Sequence, residues 1–221
     1  RAATLLKSGF KTLKAKVGSM PFEQELEWMS SLRAMAPDVT FRVDANGAFS
    51  QPESGWTPLK KLESLAEIGL HSIEQPLHPT DRSGLAELCK VSPIPIALDE
   101  SLIGIPLEEQ GALLDAIGPD FLVLKPSLLG GFAATQHWIQ LAEQRVMGWW
   151  VTSALETNMG LNAIAQWTAN GIQSDTPLLP QGLGTGGLFT NNIASPLEVS
   201  EGYLSARGVQ NWEAPEVPSV S

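Results

Sequence analysis

Polar residues close short apolar runs at a nearly even interval along this 221-residue chain. Lys16, Asp44, Glu74, Asp99, Lys125 and Ser153 each end such a run, and successive members stand 25 to 30 residues apart. Between them lie stretches with apolar positions at helical spacing, such as Leu26, Met29, Leu32 and Met35. A strand–helix unit of that length, with apolar strands, needs a parallel sheet covered by helices. Wound into a ring, the unit gives a β/α barrel whose polar strand ends gather at one mouth. The predicted fold class is therefore α/β, a (β/α)8-type barrel.

The pattern predicts seven strands, closing at Lys16, Asp44, Glu74, Asp99, Lys125, around Ser153, and over Pro177–Gly184. A barrel of this kind has eight. The opening helix, residues 1–10 with Gly9 as its stop, has no strand before it, so the first strand is expected to be absent from this chain. The first residue is Arg1 rather than Met, and the chain is expected to begin inside a longer protein. Residues 1–193 read as an incomplete catalytic barrel. The period then breaks, and residues 194–221 read as a C-terminal tail with short strands near Leu197–Val199 and Tyr203–Leu204 and a Pro-rich end.

Composition narrows the function. Net charge is -10 and the longest basic run is Lys60-Lys61, which argues against nucleic acid or an anionic membrane surface as partner. No apolar run in these residues is long enough to span a membrane, and no secretory signal is expected. Cys89 is the single cysteine, so no internal disulfide forms, and a reducing cytoplasm is the expected location. His71, His78 and His137 show no ligand spacing, and Trp138, Trp149 and Trp150 read as packing residues.

The chemistry sits at the strand ends. In Thr12–Gly18 the period-two pattern turns Lys14 and Lys16 to one face, and Leu13, Ala15 and Val17 to the other. By itself this suits a solvated edge strand. Asp44, Glu74 and Asp99 follow at matching places in the next three units. Each alone suits a strand-end acid or a helix cap. Together they would lie about 5 Å apart from strand to strand, and three carboxylates in a dry pocket need a compensating cation. Oxygen donors from separate strands, with positions left for water and substrate, suit Mg²⁺. Lys125 then stands on the far side of the acids from Lys14 and Lys16. An amine takes a proton from carbon only when neutral, a state favoured by a neighbouring ammonium and a divalent cation. A purely structural pairing of Lys125 with an acid is the competing reading.

Lys14-Ala-Lys16, Val-Asp44-Ala-Asn46, Ile-Glu74-Gln-Pro, Leu-Asp99-Glu-Ser and Leu-Lys125-Pro-Ser resemble the enolase superfamily, muconate-lactonizing subgroup. Thr152–Asn158 with Gly160–Trp167, and Pro180–Gly187 with Asn191-Asn192, are similar to the subgroup's dehydratases that act on a cyclohexadiene carboxylate. The resemblance implies that Lys16 takes the α-proton of a small carboxylate substrate and returns it to the leaving hydroxyl, a syn dehydration. It implies that Lys125 stabilises the enediolate from the opposite face and that Lys14 tunes Lys16 and reaches the carboxylate. Asp44, Glu74 and Asp99 would bind Mg²⁺. Asn46 would steady a metal ligand, and Glu100 would engage a lysine. Ser153, with the backbone near Gly182, would hold the substrate's side chain, although ordinary turn chemistry explains both as well. It also implies an N-terminal capping domain, missing here, towards which the 194–221 tail would pack.

Other outcomes stay open on the sequence. Two opposed lysines serve a racemase of N-acylamino acids, a dipeptide epimerase or a cycloisomerase equally well. A sugar-phosphate enzyme could use Gly182, Gly184, Gly186 and Gly187 as a phosphate cradle, but that leaves three carboxylates unexplained. A non-catalytic fragment that only pairs with a partner domain is the last class.

Overall fold

Alternation decides which way each strand faces. The computed structural model describes residues 2–184 and 189–206. Its elements run α1 Ala2–Lys7, β1 Thr12–Lys16, α2 Phe22–Met35, β2 Thr40–Asp44, α3 Pro58–Ala66, β3 Ser72–Glu74 and α4 Arg82–Val91. They continue with β4 Ile96–Leu98, α5 Leu107–Ile117, β5 Phe121–Leu124, α6 Phe132–Gln144, β6 Gly148–Val151, α7 Asn158–Asn170, β7 Leu197–Ser200 and β8 Tyr203–Ala206. Six strands form one parallel sheet in chain order, β1 to β6, the order that sequential strand–helix winding produces.

The outward residues of these strands form one core with the helices. Val43, Ile73, Ile96, Leu98, Leu122, Leu124, Trp149 and Val151 pack with Leu62, Leu65, Leu85, Leu114, Trp138 and Ile139. Local chemistry starts the helices where the pattern requires. Thr57 accepts a hydrogen bond from the Lys60 amide with Pro58 at the first turn of α3, and Asp81 accepts from the Gly84 amide to open α4.

The inward residues line a lumen. Ala97, Val123 and Trp150 cluster there with Phe121 and Leu179. The sheet curls far enough for its two sides to meet. The Arg42 guanidinium of β2 lies 3.8 Å from the centre of the Trp150 ring of β6, and its Nη1 donates to the Pro180 carbonyl at 2.9 Å. The result is a half-barrel.

The expected seventh strand over Pro177–Gly184 is replaced by a single parallel bridge, Thr152 to Gly182. Proline supplies no amide for a ladder, and two prolines, Pro177 and Pro180, fall in this segment. The Gln181 side chain takes a ladder position instead, accepting from the Val151 amide. The Gly182 amide donates to the Val151 carbonyl at 2.8 Å. Gly182 is required by close approach, since a Cβ there would lie 2.8 Å from Thr152 Oγ1. In the tail, β7 and β8 form an antiparallel hairpin, somewhat longer than the expected strands, and its Glu201-Gly202 turn rests against Gly9. Residues 207–221 and Thr185, Gly186 and Gly187 lie outside the described residues. Among the described residues no helix is long and apolar enough to cross a membrane.

Two measurements test this packing. Gly148 faces Phe121 across the β5–β6 register, and a Cβ on it would fall 2.4 Å from the Phe121 ring. Gly148→Val therefore lowers unfolding free energy by about 1–3 kcal/mol in denaturant titration, the usual cost of overpacking. Burial, with Asp120 nearby, pushes the Cys89 thiol up to about 12. Its alkylation by iodoacetamide at pH 8, which needs the thiolate, is then on the order of a hundred-fold or more slower in the folded protein than in denaturant.

Candidate active site

Each acid in the lumen comes from the inward-facing end of one strand. Asp44 ends β2, Glu74 ends β3, and Asp99 follows β4. All three are buried, at 2%, 0% and 1% exposure, and one oxygen from each lies within 4.8 Å of the others. Register explains the approach, because Asp44 pairs directly with Glu74 and Glu74 with Ala97, two residues before Asp99. The cap alternative does not hold for Asp99. The 3-10 turn Glu100–Leu102 that follows it has no side-chain cap, and Asp99 instead accepts from Lys125.

The lysines enter from both sides. On β1, Lys14 Nζ donates to Asp44 Oδ2 at 3.0 Å and Glu74 Oε2 at 2.8 Å. Lys16 Nζ, two residues further and still on the lumen face, donates to Asn46 Oδ1 at 2.8 Å. On the other side, Lys125 follows β5 and pairs with Asp99. The acids thus sit on three central strands with lysine-bearing strands flanking them.

Asn46 links the two groups. Its amide N–H donates to Asp44 Oδ1 at 3.1 Å, and its Nδ2 donates to Glu100 Oε1 at 2.9 Å. Asn46 thus steadies Asp44 through the backbone. Among the described hydrogen bonds, Glu100 reaches a lysine only through Asn46, because the Asn46 amide occupies the gap between Glu100 and Lys16. Ser153 and Gly182 form a separate pair one strand beyond Lys125. The Ser153 amide donates to the Gly182 carbonyl at 3.4 Å, and Thr152 Oγ1 donates to the same oxygen at 2.9 Å.

The electrostatics share one direction. Burial raises Glu74 to about 7 and Asp99 to about 6, with Asp44 adding to both and the lysines opposing. Burial disfavours the Lys14 ammonium, yet Glu74 and Asp44 outweigh it and hold Lys14 above the ordinary lysine range. Glu74, Asp99 and Lys14 are thus all drawn to their protonated forms, the forms that add positive charge to the pocket. Glu74 Oε1 and Glu100 Oε2 are buried without a hydrogen-bond partner. Three clustered carboxylates, one with a free buried oxygen, fit a hard divalent cation such as Mg²⁺.

Glu25 and Arg42 were not among the residues singled out from the sequence. Glu25 falls on the buried stripe of α2 with Phe22, Met29 and Leu32, and a charge on such a stripe is the signal that marks it. Its carboxylate accepts from the amides of Gly18 at 2.7 Å, Ser19 at 2.9 Å and Met20 at 3.1 Å, fixing the loop that leaves β1 just after Lys16. Arg42 lies two residues before Asp44, on the same face, and gives no sign in the sequence that it reaches across the lumen.

A curled parallel sheet with acids on neighbouring strand ends and lysines on both flanks defines a β/α half-barrel whose charged groups gather at one end of the strands. The chain belongs to the enolase C-terminal domain-like family, whose model matches residues 1–209. It is 48% identical over 201 residues to the o-succinylbenzoate synthase of Desulfotalea psychrophila, covering 90% of this chain and 52% of that protein. It is 29% identical over 170 residues to the L-Ala-D/L-Glu epimerase of Bacillus subtilis, covering 76% of this chain and 45% of that one. In structure it matches MenC from Desulfotalea psychrophila with a TM-score of 0.80 and 45% identity, over 92% of this chain and 57% of the other. The chain spans about half the length of the curated relatives it matches.

Replacing Glu25 by Gln removes a charged acceptor from three amides at once. Glu25→Gln is expected to cost about 1–3 kcal/mol of stability, read by thermal or denaturant unfolding.

Proposed function

We propose that this chain carries the barrel of a Mg²⁺-dependent o-succinylbenzoate synthase, a carbon–oxygen lyase of menaquinone biosynthesis. The observation that carries the chemistry is the cluster of Asp44, Glu74 and Asp99 with Lys16 and Lys125 on flanking strands. The 48% identity to a synthase of that name favours dehydration over the other outcomes.

In this reading the substrate is 2-succinyl-6-hydroxy-2,4-cyclohexadiene-1-carboxylate. Lys16, as the neutral amine, takes the proton from the ring carbon that bears the carboxylate. The Lys16 ammonium then gives a proton to the hydroxyl on the adjacent carbon, which leaves as water on the same face. The electron pair of the broken C–H bond becomes the ring double bond that completes the aromatic product. Lys125 faces the enediolate from the opposite side as a cation. Asp44, Glu74 and Asp99 hold the metal, and a bound Mg²⁺ supplies positive charge to the substrate carboxylate as that charge develops. Lys14 keeps a fixed positive charge beside Lys16 and reaches the substrate carboxylate. Asn46 orients Lys16 and Asp44 together, with Glu100 bracing it. Ser153 and the backbone at Gly182 hold the succinyl arm. A capping domain closes the mouth, and the 194–221 tail packs towards it. The lone Cys89 suits a reducing cytoplasm.

Full-length protein incubated with that substrate is expected to yield o-succinylbenzoate, to lose activity with a chelator and to regain it with Mg²⁺. Lys16→Ala is expected to lower kcat by about 100- to 10,000-fold, the range of a general base. Dehydration undiminished in Lys16→Ala would remove the base assignment. Solvent deuterium exchange and inversion of an N-acylamino acid or dipeptide, without dehydration, would transfer the protein to the epimerase reading.

A further inference from the structure

Gln75 directly follows Glu74, is fully buried, and takes a left-handed backbone conformation with φ of 41°. A residue other than glycine rarely adopts that conformation without something to hold it there. What holds it is a saturated amide. Gln75 Oε1 accepts from the backbone amides of Asp99 and Ser101, each at 3.2 Å. Gln75 Nε2 donates to Ser101 Oγ at 2.8 Å and to the Leu77 carbonyl at 2.9 Å. Two acceptor positions and two donors are the whole capacity of a glutamine amide.

The backbone of the same residue ties down two more neighbours. The Gln75 amide donates to the Ala97 carbonyl at 2.9 Å, and the Gly47 amide donates to the Gln75 carbonyl at 2.7 Å. One residue therefore joins the loop after Asp44, the residue after Glu74, and the amide of Asp99. Asp99 itself has φ -125° and ψ -87°, outside the common strand and helix regions. Its backbone needs an external hold, and the shared Gln75 oxygen supplies one. No other side chain of this length offers two donors and a strong acceptor at its tip: an ionised glutamate lacks the donors, and methionine has no donor and only a weakly accepting sulfur.

We propose that Gln75 is a positioning residue that sets the spacing between Glu74 and Asp99 for a divalent cation. This rests on the cation reading given above. Loss of Gln75 leaves the acids in place along the chain but frees Asp99 to turn away from Glu74. Cation affinity then falls before the fold is lost.

Mn²⁺ serves as the probe, titrated into the full-length protein by calorimetry and by the paramagnetic signal of free Mn²⁺. Three proteins are compared at a temperature where circular dichroism shows each to be folded: wild type, Gln75→Met, and Leu113→Ala. Leu113 is buried on α5, away from the lumen, so its truncation lowers stability without touching the acids. Gln75→Met is expected to weaken Mn²⁺ binding by about 10- to 100-fold, the range seen when outer hydrogen-bond partners of a metal site are removed. Leu113→Ala is expected to bind as wild type does. If Gln75→Met binds within two-fold of wild type, or Leu113→Ala weakens binding as much, the positioning role is wrong. If wild type binds no Mn²⁺ at millimolar concentration, the cation reading falls and this inference with it. Should Gln75→Met not fold, Ser101→Ala removes a single partner of the same amide and is expected to weaken Mn²⁺ a few-fold; unchanged binding there overturns the proposal equally.

Discussion

Three carboxylates share a space that water barely enters, and the arrangement around them follows from that. Like charges held within 4.8 Å in a poorly solvated lumen repel unless cations are placed among them. The chain places Lys14 against Asp44 and Glu74, and Lys125 against Asp99. Below them Arg42, lowered to about 10 by its burial and supported by the Glu74 charge, adds a third cation. Even so, burial draws Glu74 and Asp99 towards protonation. Glu74 Oε1 is also buried without a hydrogen-bond partner, which leaves it open to a cation from outside.

The scaffold makes that possible by separating two jobs along each strand. Outward residues on the strands are aliphatic or aromatic and bind the helices. Inward residues change character with depth. At one end of the lumen His71, Phe121 and Trp150 meet at tilted and edge-on angles, with ring centres 4.9 to 6.2 Å apart. At the other end stand the acids and lysines. The three carboxylates at the charged end are themselves buried, and a charge interaction is stronger in such a poorly solvated place than in water.

Much of this was legible in the chain, for reasons that can be named. The even interval from Lys16 to Ser153 exposed the strand–helix unit, because one polar residue per strand end is a strong signal against apolar runs. The same interval located Asp44, Glu74, Asp99 and Lys125. What it could not show depends on contacts between distant segments. The seventh strand was expected because Pro177–Gly184 falls at the right distance, yet its prolines and the Gln181 side chain reduce it to one bridge. Glu100 was expected at a lysine, and Asn46 stands between them. Gln75 carries no charge and follows a carboxylate, so nothing in its neighbours hints at four hydrogen bonds made to residues up to 26 positions away.

The reach of Arg42 to the Pro180 carbonyl has a mechanical meaning. Along the sheet, the distance between neighbouring strands is set by peptide pairing and can hardly vary. Across the opening no peptide pairing joins β2 to the 177–184 segment, and there a single guanidinium acts as a caliper. The bore of this vessel is therefore gauged by the length of one side chain resting on an indole, while its circumference is left to the ladder.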